Sequence, residues 1–344
     1  MIRLPKFDYY APRTIAEAAD RLAAHPDAML LAGGTDLLPN MKRRQQTPSV
    51  VVGLAGIGEL RLRTNGSGHT FGAGLTLSEI VRDAGAAREC GALHQAAAQV
   101  ATPHLRAMGT LGGNLCLDTR CNYYDQSYEW RKAIDFCMKK DGERCWVALS
   151  SPTCLAVSST DTAPALIALR ATVALTSASG TRSLPVSDLF ANDGMHYLTR
   201  RRDEILTRVD VPDQTGWRST YWKLRRRGSF DFPVLGVAAA VHVASDGTVR
   251  DARLVLGAVA SRPLVCVSAA ESLIGSGWSD EAIARAADLA FTLAKPMDNT
   301  DFALVWRKRV TRDFVTYALR ELRGDDMRPT RVKIARHALE GLHY

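Results

Sequence analysis

The chain has 344 residues, 46% hydrophobic and 23% charged, with a formal net charge of +8. This composition excludes a disordered or fibrous chain, and at one domain per ~100–200 residues it predicts two or three domains. The longest apolar stretch, residues 234–244, contains His242 and falls short of the ~20 residues of a membrane-spanning helix. The opening MIRLPKFDYYAPRT has no apolar signal core, so a cytoplasmic protein with no membrane partner is expected.

Residues 1–55 read as β-α-β. Thr14-Ile15-Ala16-Glu17 has the form of a capping box, and Ala18, Leu22 and Ala23 follow at helical spacing. Short apolar strands are predicted at 28–32 and 49–54, and a helix joining such strands suggests a small parallel sheet. Residues 56–217 change pattern. A hairpin is expected from 60–63 and 70–75 around Asn65-Gly66-Ser67-Gly68. Helices are expected at 78–87, 92–101 and 163–170, and strands at 172–177 and near Ser183. A cysteine-rich insert, 115–155, interrupts this unit. Residues 218–325 read as a third, α+β unit. Its hairpin pairs 235–244 with 249–259, and its helices cover 264–274, 282–294 (with Ser279 as N-cap) and 301–322. The polar tail, 326–344, is expected to be loose or docked on a partner.

Two glycine-rich turns carry the first chemical signal. Leu30-Leu31-Ala32-Gly33-Gly34-Thr35-Asp36-Leu37 follows a strand directly. Its glycines allow close backbone approach, and consecutive N–H groups there form a phosphate nest. Thr110-Leu111-Gly112-Gly113-Asn114 repeats that chemistry, and two such loops suit a diphosphate held from both sides. Neither is a Rossmann G-x-G-x-x-G nor a P-loop, so another nucleotide fold is implied.

The second signal is sulfur. Cys116, Cys121, Cys137, Cys145 and Cys154 crowd the insert, while Cys90 and Cys266 lie elsewhere. In a reducing compartment such crowding points to metal, catalysis or burial. The spacing C-x15-C-x7-C-x8-C matches neither zinc knuckles nor bacterial ferredoxins. Tetrahedral zinc and an iron–sulfur cluster both remain open, beside plain buried thiols. The arginine runs 200–202 and 225–227 lack interleaved aromatics, so nucleic acid is not expected. The positive charge suits an acidic protein partner.

AGGTDL after a β-α-β unit, then MGTLGGN, resembles the flavoprotein subunits of the molybdenum hydroxylase family, which includes xanthine and carbon monoxide dehydrogenases. Asp161-Thr162-Ala163-Pro164-Ala165-Leu166, Asp193-Gly194, Glu204-Ile205-Leu206, Tyr221-Trp222-Lys223, 225–227 and Phe230-Asp231 extend the resemblance along the chain. It implies an α+β, vanillyl-alcohol-oxidase (PCMH)-type FAD-binding fold. That fold has a small parallel subdomain (1–55), a larger antiparallel one (56–217) and a C-terminal domain of the CO-dehydrogenase-flavoprotein type (218–325). By the same resemblance, 30–37 wraps the FAD diphosphate, and Thr110, Gly112, Gly113 and Asn114 meet it from the other side. Asp161, Leu206 and Lys223 are further cofactor positions.

Without the family, Asp161 reads as a helix N-terminal acid and Lys223 as a surface charge. The insert, with CLDTRCNYYDQS at 116–127, resembles that of the 4-hydroxybenzoyl-CoA reductase branch. The resemblance implies a [4Fe-4S] cluster on Cys121, Cys137, Cys145 and Cys154, with Cys116 as packing and Asn122 as an extra FAD contact. The implied partners are a large molybdenum subunit, a small [2Fe-2S] subunit and ferredoxin as donor, in a dimer of heterotrimers. The oxidoreductase chemistry on substrate falls to the large subunit, so no catalytic residue is expected here, and His94, His104 and His196 read as packing or surface. The alternative is an oxidative molybdenum hydroxylase flavin subunit with a structural zinc loop; a metal-stabilised interaction module is the non-enzymatic reading.

Overall fold

The computed structural model describes residues 3–228 and 230–337. The first sheet has three parallel strands in the order Asp8–Tyr10, Val50–Gly53, Met29–Leu31. Its central strand is wholly buried, as a parallel sheet covered on both faces requires. The helix Ile15–Ala24 packs Ala18, Ala19 and Leu22 against it. Thr14 caps this helix through the Glu17 amide at 3.1 Å. The other half of the expected box is missing, because the Glu17 carboxylate accepts the Arg13 amide instead.

The second sheet is antiparallel, in the order Arg63–Asn65, His69–Gly72, Ile205–Val211, Thr172–Ser177, Gly180–Pro185. Leu206 and Val209 of its central strand share a core with helices flanking the insert. The hairpin is shorter than expected, since 58–61 form a 3-10 turn. The helix expected at 78–87 is two helices, Leu77–Arg82 and Ala84–Glu89. Asp83 ends the first and caps the second at the Ala86 amide, 2.8 Å away.

The third sheet is antiparallel, in the order Leu264–Val265, Val249–Gly257, Leu235–Val243, Trp217–Leu224. Helices Asp280–Leu293 and Leu304–Arg323 cover one face. The other face packs small residues, Ala238 and Ala240, against Ala92, Ala96, Ala165 and Ala168 of the second unit. Both faces are dry, so 234–241 is continuously apolar rather than alternating. The helix expected at 264–274 starts only at Val267, because Leu264 and Val265 pair with Leu256 and Val255. Among the described residues, no helix is long and apolar enough to cross a membrane.

Of the tail, expected to be loose or docked on a partner, residues Arg328–His337 form a helix that docks on this same chain; residues 338–344 lie outside the described residues. Arg331 anchors it, donating to Glu321 Oε2 at 2.6 Å and Thr220 Oγ1 at 2.9 Å, and lying 4.0 Å over the Trp222 ring. Replacing Arg331 with Met leaves a half-buried carboxylate without its cation, at a cost of about 1–3 kcal/mol. The expected outcome is faster tryptic cleavage at Lys333 with the three sheets intact. Unchanged protection would show that the helix is held some other way.

Candidate functional site

A cavity of about 480 Å³ opens between the first two units and is closed on a third side by Arg227, Phe230, Asp231 and Phe232. The strand Met29–Leu31 delivers the chain to Gly33 and Gly34 at its wall. A Cβ at position 33 would stand 1.9 Å from the Met108 carbonyl oxygen. Only glycine therefore lets the first turn lie against the segment entering the second. Gly34 has φ of 72°, a left-handed conformation that also favours glycine. Among the described residues, no backbone amide from Gly33 to Leu37 donates a hydrogen bond. Five consecutive N–H groups thus stay unspent where the helix Leu37–Lys42 begins.

The second turn differs from the expected second nest. The amides of Leu111 and Gly112 donate to Leu75 and Ala73 carbonyls, both at 2.9 Å, and those of Gly113 and Asn114 go to Thr110. This turn is the start of a short helix, Leu111–Leu115, with its donors already used. It contributes a wall, not a second set of free amides. Asn114 is a brace: its Oδ1 accepts from the Thr162 amide at 3.1 Å and from the Thr160 and Thr162 hydroxyls at 2.9 and 2.7 Å. It thereby caps the helix Thr162–Ala168 from across the insert.

Asp161 stands at the N-cap position of that helix and makes no side-chain cap bond. Its carboxylate accepts from Lys223 Nζ at 2.9 Å and the Tyr221 hydroxyl at 2.8 Å, and Lys223 also donates to the Gln99 carbonyl at 3.1 Å. Lys223 is buried, not a surface charge. Burial pushes the Asp161 carboxyl up and the Lys223 amine down, and each charge opposes the other's shift. The hydrogen bonds from Tyr221 to Asp161 and from Lys223 to Asp161 and Gln99 favour the ionised pair.

The 30–37 turn lines the cavity except for Leu31. Thr110, Gly112, Gly113, Asn114, Asp161 and Leu206 line it too. Lys223 does not; it stands behind Asp161. Asn122 does not either. It is exposed, its amide donates to the Asn299 carbonyl at 2.9 Å, and its own carbonyl accepts from Gln126.

Sequence reasoning missed Asp118, Arg120, Tyr197 and Phe232, all in the wall. The buried Arg120 bonds Asp36, reaches Asp125 at 3.4 Å and stacks 4.6 Å over Phe232. Its signal lay in plain view, within the run that leaves the GGN turn.

The 115–155 insert leaves from the cavity wall, through Cys116, Leu117, Asp118 and Arg120, and the chain regains that wall at Ser159 and Asp161, four and six residues past the insert's end. Cys121, Cys137, Cys145 and Cys154 are all buried and free. Cys121, Cys137 and Cys154 share one small core with Tyr124 and Ala156, and Cys145 acts electrostatically on Cys154. Burial pushes the thiols of Cys121 and Cys154 up to about 12 and about 11, and that of Cys137 up as well. Backbone amides oppose this: Tyr123 on Cys121, Lys139 and Lys140 on Cys137, and Ala156 on Cys154 at 3.5 Å. Lys139, between the second and third cysteines, donates to Asp118 Oδ1 at 2.8 Å, Thr119 Oγ1 at 2.7 Å and the Gly194 carbonyl at 2.6 Å. It ties the insert to the cavity wall.

The expected four-cysteine ligand set is not assembled as such. Among the described residues, no group of three or more His, Cys, Asp or Glu is placed to hold a metal ion. Packing alone does not bring sulfurs into a ligand polyhedron; metal–sulfur bonds supply that free energy. The donor chemistry nevertheless suits a thiolate-bound centre: four buried cysteines in one neighbourhood, amide N–H groups on three of them, and a buried Arg131 whose Nε and Nη1 have no hydrogen-bond partner.

Residues 5–214 match the FAD binding domain in molybdopterin dehydrogenase, and 219–322 match the CO dehydrogenase flavoprotein C-terminal domain. The aldehyde oxidoreductase FAD-binding subunit of Escherichia coli K12 is 30% identical over 314 residues, covering 88% of this chain and 95% of that protein. The carbon monoxide dehydrogenase medium chain of Hydrogenophaga pseudoflava is 28% identical over 301 residues, covering 86% and 89%. A solved carbon monoxide dehydrogenase from H. pseudoflava, lacking the Mo-pyranopterin moiety, superposes with a TM-score of 0.76 at 25% identity, covering 93% of this chain and 98% of that one.

Replacing Lys223 with Met leaves Asp161 buried without its cation, so stability should fall by about 3–5 kcal/mol. Adding Asp161→Asn should recover part of that loss, because the stranded charge is removed. Thermal denaturation of the two single variants and the double variant measures this coupling; additive losses would contradict it.

Proposed function

Because the chain belongs to the family of FAD-binding subunits of molybdopterin dehydrogenases, we propose that it is the electron-transfer subunit of a three-subunit molybdenum enzyme, holding FAD in the cavity and a [4Fe-4S] cluster in the insert. The reaction proposed for the assembled enzyme is reductive dehydroxylation of 4-hydroxybenzoyl-CoA to benzoyl-CoA. The observation that carries this reading is the insert: a cysteine-rich excursion that starts in the cavity wall and is followed, within six residues of its end, by the wall residues Ser159 and Asp161. A flavin exchanges electrons singly or in pairs and an iron–sulfur cluster singly, whereas zinc has no redox chemistry.

The residues divide the work. The unspent amides of 33–37 meet the FAD diphosphate. Gly112 and Gly113 keep the facing wall thin, and Thr110 and Asn114 hold that wall in place. Leu206, with Ile205, Leu54 and Leu60, gives the cavity an apolar end suited to an aromatic ring of the dinucleotide. Asp161 faces the cofactor with its charge fixed by Lys223. Cys121, Cys137, Cys145 and Cys154 hold the cluster, and the amides of Tyr123, Lys139, Lys140 and Ala156 favour their thiolates. The net charge of +8 favours an acidic ferredoxin as donor. The molybdenum and [2Fe-2S] centres, and the substrate, sit on the two partner subunits, in a dimer of heterotrimers in the cytoplasm.

A second reading follows the named relatives, which include an aldehyde oxidoreductase and carbon monoxide, xanthine and nicotinate dehydrogenases. It makes the chain an oxidative hydroxylase subunit whose insert binds structural zinc. Metal analysis of the anaerobically purified complex separates the two. The proposal expects about four iron and four sulfide per FAD; one zinc and no iron would leave the second reading standing. Reciprocal variants locate the centres. Cys137→Ser should lose iron and keep flavin, and Gly33→Ala, by driving the two turns apart, should lose flavin and keep iron. Loss of flavin alone from Cys137→Ser would reject the ligand assignment.

A further inference from the structure

The insert buries a positive charge that its acids do not balance. Arg131, on the helix Tyr128–Ala133, has a side chain with no exposed surface. Its Nη2 donates to the carbonyls of Arg43 and Arg44 at 3.5 and 3.4 Å. The one carboxylate within ion-pair distance among the described residues, Asp141, stands 3.8 Å away and is 41% exposed. Nε and Nη1 have no hydrogen-bond partner. The other buried cations of this region are matched: Lys139 pairs with Asp118 at 2.8 Å, and Arg120 with Asp36 and Asp125. A buried guanidinium with idle donors is costly unless an anion answers it.

The helix carrying Arg131 ends just before Cys137, and the Phe136 amide donates back to the Arg131 carbonyl at 2.7 Å. Its charge is one of those acting on the Cys137 sulfur. Four thiolates carry more negative charge than a zinc ion or an oxidised iron–sulfur core neutralises, so an assembled centre is anionic.

We propose that Arg131 is the resident counter-charge of the centre held by Cys121, Cys137, Cys145 and Cys154, and that it sets that centre's reduction potential. The inference rests on the [4Fe-4S] reading of the insert. Reduction adds negative charge, and a buried cation stabilises the reduced form more than the oxidised one. The low dielectric of the insert's core makes the effect larger than at a surface.

The test is a potentiometric titration of the anaerobically purified complex, followed by EPR, with iron and FAD measured on every sample. Arg131→Met should lower the cluster midpoint, and Arg131→Lys should stay near the parent. Asp141→Asn removes the opposing charge and should raise the midpoint. Asparagine tolerates the φ of 68° at that position, so this variant keeps the fold even where Arg131→Met does not. Loss of iron from Arg131→Met with FAD retained, restored by Arg131→Lys, supports the same role. Iron-replete Arg131→Met and Asp141→Asn samples with unmoved midpoints overturn the inference alone. Zinc, or no metal, in the parent overturns the [4Fe-4S] reading and this inference with it.

Discussion

No side chain fits between residue 33 and the Met108 carbonyl, and the cavity depends on that contact. It joins a turn that ends a parallel strand in the first unit to a turn that opens a helix in the second. Each turn then does a different job. The first keeps its amides free as the chain leaves the sheet and enters a helix. The second uses its amides to bind the Leu75 and Ala73 carbonyls, which pins the wall to the second sheet.

From that contact the rest follows by bracing. Asn114 carries the second turn across to Thr160 and Thr162 and so sets the start of the helix Thr162–Ala168. Asp161, freed from capping that helix, turns to Lys223 and Tyr221 on the edge strand of the third sheet. One buried ion pair thereby locks the C-terminal unit to the cavity wall, and the alanine-rich contact around Ala238 and Ala240 lets sheet and helices approach closely enough for it to form.

The insert obeys the same electrostatic rule with one exception. Arg120 and Lys139 each reach the wall and each find a carboxylate there. Arg131 is buried, and the one carboxylate it reaches among the described residues is Asp141, 3.8 Å away and partly exposed. Buried charges are retained where something answers them, and the unanswered one marks where an anionic group belongs.

Local patterns made much of this legible. The strand Thr172–Ser177, the helix starting after Ser279 and the hairpin of 235–243 with 249–257 follow from apolar periodicity, a capping serine and an Asp-Gly turn. The glycine pairs mark the cavity because a missing Cβ is a local property written in the chain. What the sequence alone determined was therefore many of the elements and the place of the two glycine turns. It did not determine that Lys223 is buried behind Asp161, that Asn122 faces outward, that Arg120 lines the wall, or that Arg331 docks the terminal helix. Each of these is a pairing between residues distant along the chain, and such a pairing exists only when three sheets have packed and burial has forced every charge to find its partner.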